Sequence, residues 1–112
     1  MADEHKTSFD AYRVRYLSRS VTGPEIDCLH RGDLVGRLVF HEEDAEMPAN
    51  ELLAEGDGGA VCLHFRLSQF PHLIDLLREE KPLYLWFSEA SGEGAVMTGA
   101  EPVGEGEPYL SR

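Results

Sequence analysis

The sequence has few cysteines, few basic residues and no long apolar segment, and each shortage excludes a class of protein. Two cysteines are too few for a disulfide framework. Ten Lys and Arg residues stand against 21 Asp and Glu residues, so the formal net charge is −11. Nucleic acids and anionic membrane surfaces attract basic proteins, and we therefore predict neither as a partner. No apolar run approaches the roughly 18 residues of a membrane-spanning helix.

The remaining composition is that of one small globular domain. The chain has 112 residues, of which 42% are hydrophobic, enough for a single core. Its polar N-terminal segment resembles no export signal, which predicts a cytoplasmic protein with reduced thiols. We predict one soluble α+β domain over residues 1–103, with residues 1–7 frayed. Residues 104–112 are predicted to form a flexible acidic tail.

Alternation of apolar and polar residues predicts six strands. The first strand carries Tyr12, Val14 and Tyr16 on one face and arginines on the other. The five others are predicted near residues 25–30, 34–41, 60–67, 83–87 and 94–100. Two of the six, the third and the fifth, are apolar on both faces, which is typical of strands covered on both sides.

One amphipathic helix is predicted between the fourth and fifth strands. Phe70, Leu73, Ile74 and Leu77 have helical spacing, and Pro82 ends the pattern. The element order is therefore β-β-β-β-α-β-β, and short connections favour antiparallel pairing. We predict a curved, mostly antiparallel sheet of about six strands with one main helix packed on one face. Partial closure into a barrel remains open at this point.

Residues 41–59 form the longest stretch without a strand pattern, and they are strongly acidic. Pro48 and Gly56 fit the start and the end of a short helix over residues 48–55. A connection this long inside a compact domain is either functional or mobile. A pocket beneath it would make the chain a small-molecule-binding protein or an enzyme, which is one alternative function.

The tripeptide Cys-Leu-His occurs twice, and it defines the candidate metal ligands Cys28, His30, Cys62 and His64. On a strand, the Cys and His of one tripeptide share a face. Two thiolates and two imidazoles from adjacent strands would form a tetrahedral zinc set, and a zinc-binding protein is a second alternative. The tripeptide lacks the loop geometry of Cys-x-x-Cys knuckles. The two copies would also be too far apart if the third strand lies between the second and the fourth, and the sequence does not fix the strand order. The prediction is therefore no metal and no cofactor.

The chain shows no catalytic signature, because no nucleophile, base and orienting group can be paired along it. Tyr84 and Trp86 are the candidates for an interface or a pocket, with the core as the competing interpretation. One helix covers one face of a sheet, and two strands are apolar on both faces. A second copy of the chain would bury the apolar face that the helix leaves open, since twofold dimers are common. We expect a non-enzymatic, self-associating protein-interaction or regulatory module that forms a homodimer.

Overall fold

The computed structural model describes residues 4–18, 23–53 and 59–100. Within these ranges the chain forms eight strands and one α-helix, which follows a single 3-10 turn. The elements are β1 (Glu4–Phe9), β2 (Ala11–Arg15), β3 (Glu25–His30), β4 (Asp33–His41), β5 (Glu51–Leu52), β6 (Val61–Arg66), α1 (Phe70–Glu79), β7 (Leu83–Ser88) and β8 (Gly94–Thr98). The α+β class and the single main helix are confirmed.

The strands form two sheets. The three-stranded sheet has the order β1-β7-β8, and the five-stranded sheet has the order β2-β3-β4-β6-β5. Every neighbouring pair is antiparallel except β4 and β6, which run parallel. The prediction of one sheet of about six strands is therefore wrong in strand number and in the division into sheets. Neither sheet closes into a barrel over the described residues.

Two local predictions also need correction. Residues 4–7, which were expected to fray, belong to β1 and pair with β7 from Glu4↔Ser88 onward. They lack an apolar alternation because β1 is an edge strand in which only Phe9 is buried. Residues 51 and 52, within the expected helix over residues 48–55, form the short strand β5 instead. Residues 54–58 lie outside the part of the chain that the structure describes. The predicted acidic tail, residues 104–112, also lies outside the described residues.

The two sheets pack face to face and enclose the core. Ile26 and Leu38 of the larger sheet face Leu85 of the smaller one within a single buried cluster. The close approach depends on Gly36, where an added Cβ would overlap the Leu85 side chain. The second sheet therefore covers the inner face of β4, which the sequence alone had left without a cover.

Helix α1 closes one end of this arrangement. It buries Leu73 and Leu77 in the core, and Phe70 packs edge-on against Phe40 with 5.1 Å between ring centroids. Pro71 lies in the first turn, where a missing N–H costs little. No helix of the described residues is both long and apolar enough to cross a membrane.

Candidate functional site

Tyr84 and Trp86 lie on the side of β7 that faces away from the core. β7 is the central strand of the three-stranded sheet, so its side chains alternate between the two faces. Leu83, Leu85 and Phe87 point inward and are buried, whereas Tyr84 and Trp86 point outward and are half-buried. The outward side chains of β7 thus include two large aromatic residues.

Neighbouring strands extend this surface, which we call the aromatic face. It consists of Lys6, Tyr84, Trp86, Ala95 and Met97. The Lys6 ammonium lies 4.6 Å from the centroid of the Tyr84 ring, a cation–π contact. The Trp86 indole N–H donates to Oε1 of Glu4 at 3.2 Å. These two contacts hold both rings in place and leave one positive and one negative group at the rim.

The outward face of the five-stranded sheet is charged instead. Asp27 has only 2% of its surface exposed although it points away from the core. Arg13 on β2 and Arg37 on β4 stand directly opposite it, and each donates a hydrogen bond of 3.0 Å to its carboxylate. Arg15 donates to Asp27 at 3.2 Å and to Glu25 at 2.7 Å. We call Arg13, Arg15 and Arg37 the arginine cluster.

The arginine cluster keeps Asp27 ionised. Burial by itself raises the pKa of a carboxyl group, because it penalises the charged form. Hydrogen bonds from Arg37 and Arg13, together with the charge of Arg15, outweigh this penalty and lower the pKa of Asp27. The hydrogen bond to Asp27 in turn raises the pKa of Arg37. The cluster is therefore a fixed array of charged donors at neutral pH.

Three further polar side chains form a chain on the same face. Sγ of Cys62 lies 3.7 Å from Nε2 of His64, and Nδ1 of His64 lies 2.9 Å from Nε2 of His41. Burial and the negative charge of Glu51 raise the pKa of the Cys62 thiol. Burial and the charge of His41 lower the pKa of His64. The geometry suits a neutral thiol that donates to a neutral imidazole, which is the opposite of an activated thiolate nucleophile.

Of the four candidate zinc ligands, the structure brings together only Cys62 and His64. Cys28 points into the core, where burial and then the charge of Asp27 raise its pKa to about 12. Cys62 points to the opposite face, and β4 lies between the strands that carry the two cysteines. In the part of the chain that the structure describes, no three His, Cys, Asp or Glu side chains are grouped as a metal ion requires.

The remaining candidate ligand, His30, lines a cleft of about 890 Å³. The cleft lies between the corner that joins β1 to β2 and the C-terminal end of α1, with Tyr12 and Leu77 in its walls. Nδ1 of His30 is buried and has no hydrogen-bond partner among the described residues. The lining includes no residue of the stretch 41–59, so this cleft differs in position from the pocket expected beneath that stretch.

Comparisons of the chain with protein-family models, with curated proteins and with solved structures gave no match. The geometry leaves two surfaces of distinct chemistry. The aromatic face offers large apolar side chains with a balanced rim, and the arginine cluster offers charged donors. Neither surface contains the paired nucleophile and activated base that covalent catalysis needs.

Proposed function

We propose that this chain is a non-enzymatic protein-interaction module that forms a homodimer through the aromatic face. The observation that supports this most is the outward position of Tyr84 and Trp86 on the central strand of the small sheet. Trp and Tyr contribute most of the energy of many interfaces, because each buries a large area at a small entropic cost. Two such side chains at the centre of a face are suited to be its anchors.

The distribution of apolar surface favours this face over the other sheet. Packing against the smaller sheet covers the inner side of β4, and on its outer side Val39 is already buried. In β7, by contrast, the inner residues are buried while Tyr84 and Trp86 remain half-buried. The small sheet therefore offers a partner more partly exposed aromatic surface than β4 does.

The rim charges explain how a chain of net charge −11 can pair with itself. Two such chains repel each other at long range. At the aromatic face, however, Lys6 and Glu4 balance each other. A twofold axis brings the same patch of both copies together, so that Lys6 of one copy can approach Glu4 of the other. We expect dimerisation to strengthen as salt rises from about 0.01 M to about 0.15 M, since the Debye length falls from about 30 Å to about 8 Å.

Sedimentation velocity tests the proposal, with the wild-type protein and the variants Trp86→Ala and Tyr16→Ala. We expect a species of twice the 12.5 kDa chain mass at tens of micromolar. Loss of a central interface Trp costs about 2–4 kcal/mol, so Trp86→Ala should weaken dimerisation at least thirtyfold. Tyr16→Ala is the matched control, because Tyr16 is an exposed aromatic residue outside the aromatic face.

Two results would reject the proposal. One is a wild-type protein that sediments as a monomer at these concentrations in 0.15 M salt. The other is an equal loss of dimer in Trp86→Ala and Tyr16→Ala, which would move the interface away from the aromatic face. A mass above that of the bare dimer in native mass spectrometry would instead support one of the alternatives, bound metal or bound small molecule.

The cleft beside His30 favours a second candidate function, binding of a small molecule. Its volume of about 890 Å³ is within the size range of ligand pockets, and its lining combines Tyr12 and Leu77 with charged residues such as Lys81. A fragment screen followed by imidazole NMR tests this candidate. Binding should shift the signals of His30 and leave those of exposed His72 unchanged. Equal shifts in both would exclude the cleft.

A further inference from the structure

Strand β2 lies at the edge of the five-stranded sheet. Its neighbour on one side is β3, and no other strand of the described residues pairs with its second side. An edge strand presents unpaired N–H and C=O groups, to which an extended segment of another chain can add. A further strand would continue the sheet beyond β2.

The outward side chains at this edge are Arg13 and Arg15, two residues of the arginine cluster. They stand about 7 Å apart along the strand, the distance between alternate residues of any partner strand. Three guanidinium groups in the cluster share the carboxylates of Asp27 and Glu25. The Arg13 side chain is 60% exposed and the Arg15 side chain is 33% exposed, so a partner can reach both from solvent. Three guanidinium groups against two carboxylates leave an excess of positive charge at this edge.

The opposite side of β2 is apolar. Tyr12 and Val14 point toward the core but are only half-buried, because they stand at the edge of the sheet. The strand leads directly into Tyr16 and Leu17, which are 73% and 42% exposed. In the described part of the chain these two are the large hydrophobic residues that remain exposed. The free edge of β2 thus has apolar surface on its inward side and arginines on its outward side.

We propose that the edge of β2 binds an extended acidic segment of a partner protein as an additional strand. Alternate carboxylates of the segment face Arg13 and Arg15 on the outward side of the sheet. The residues between them are apolar and pack beside Tyr12 and Val14. Backbone hydrogen bonds supply affinity, and the alternation of acidic and apolar side chains supplies specificity.

The charges on the edge decide between this partner and the other occupants. A second copy paired through the same edge would place arginines next to arginines, which is unfavourable. A nucleic acid is longer than the arginine cluster, so its other phosphates would lie against the acidic remainder of a chain with net charge −11, which repels them. A short acidic strand keeps its charge within reach of Arg13 and Arg15, because guanidinium groups bind carboxylates with two parallel hydrogen bonds.

Isothermal titration with a synthetic peptide tests the proposal. The probe is a ten-residue peptide in which Glu alternates with Val and Thr, and a peptide of the same composition with contiguous Glu residues is its control. A third peptide carries methyl groups on alternate backbone amides, which prevents strand pairing and keeps every carboxylate. We expect binding of the alternating peptide only, and protection of β2 amide protons from exchange in its complex.

Arginine variants locate the site. Arg13→Gln should weaken binding about tenfold, the loss expected for one charge-assisted pair. Arg78→Gln is the matched control, because Arg78 is an exposed arginine on α1 and its loss changes the net charge equally. Arg13→Lys keeps the charge but not the planar fork, and should give an intermediate affinity. An unchanged far-ultraviolet circular dichroism spectrum of Arg13→Gln shows that the sheet itself is intact.

Four outcomes would overturn the proposal. They are equal affinity for the alternating and the contiguous peptides, equal affinity for the methylated peptide, equal losses in Arg13→Gln and Arg78→Gln, and tighter binding of a single-stranded oligonucleotide. Absence of any binding at millimolar peptide would overturn it as well. The test is independent of dimerisation, since Trp86→Ala leaves the β2 edge unchanged and should bind the peptide normally.

Discussion

Replacement of Asp27 by Asn should destabilise the fold strongly. The change removes the negative charge that three guanidinium groups share. The new amide NH2 group also places N–H donors against the N–H donors of the arginines. Breaking a buried ion pair by removing one partner costs about 3–5 kcal/mol. Asp27 is 2% exposed, but Arg15 and Arg37 have side chains 33% exposed, so water replaces part of the lost interaction. We therefore expect a loss of about 3 kcal/mol, which lowers Tm by roughly 10–15 °C.

The pH dependence of this loss has a definite sign. The folded-state pKa of Asp27 lies below its ordinary value of 3.8, so the folded state favours the ionised form. The stabilisation is fully present above pH 3.8 and is lost as the pH falls through the folded-state pKa. The difference between wild type and Asp27→Asn should thus be constant near neutral pH and shrink below pH 3.8.

Urea denaturation followed by circular dichroism, at pH 7 and at pH 3, measures both effects, since urea does not screen charges. Glu25→Gln is the control. Glu25 binds one arginine, Arg15, whereas Asp27 binds three, and the Glu25 side chain is more exposed, 16% against 3%. Its loss should therefore cost less, about 1–2 kcal/mol. A cost below about 1 kcal/mol for Asp27→Asn at pH 7, or an undiminished cost at pH 3, would refute the account of the arginine cluster.

Other predictions concern the core, the thiols and the imidazole chain. Gly36→Ala should destabilise the fold by about 1–3 kcal/mol in urea denaturation, and Leu85→Val should rescue it by making room for the new methyl group. Cys28 and Cys62 should resist a thiol reagent at pH 8 until urea unfolds the chain, because both are buried; rapid reaction of folded Cys28 would contradict its inward position. The pKa of His64 should lie below 6.5 by NMR, so that stability falls as pH drops below 6.5; a higher value would contradict its burial.

Local periodicity predicted most strands and the helix, since each carries its own pattern of buried residues. The division into two sheets was not predictable in the same way, because pairing joins residues far apart in sequence. β1 illustrates this, because residues 4–8 show no apolar alternation and the strand forms through backbone pairing with β7. The parallel pairing of β4 with β6, which brings His41 to His64, likewise leaves no local signal.

The site was predictable only in part. Tyr84 and Trp86 were candidates because aromatic residues alternated with core residues. Asp27 was missed, although the turn between β3 and β4 is visible in the sequence. Counting outward from the pair His30↔Asp33 would place Asp27 opposite Gly36. A shift in register between residues 28 and 29 moves it opposite Arg37 instead. One bulge therefore creates the ion pair.

The two proposed surfaces should respond differently to salt, and this follows from where the charges lie. Arg13, Arg15, Arg37 and Arg66, four of the 10 basic residues, project from one face of a chain whose net charge is −11. Repulsion between two copies acts over tens of ångströms, so it is largely screened by about 0.15 M salt, and dimerisation strengthens up to that point. Contacts between carboxylates and guanidinium groups act within about 4 Å and weaken mainly above it. A peptide affinity that does not fall as salt rises above about 0.15 M would therefore contradict a contact between carboxylates and guanidinium groups.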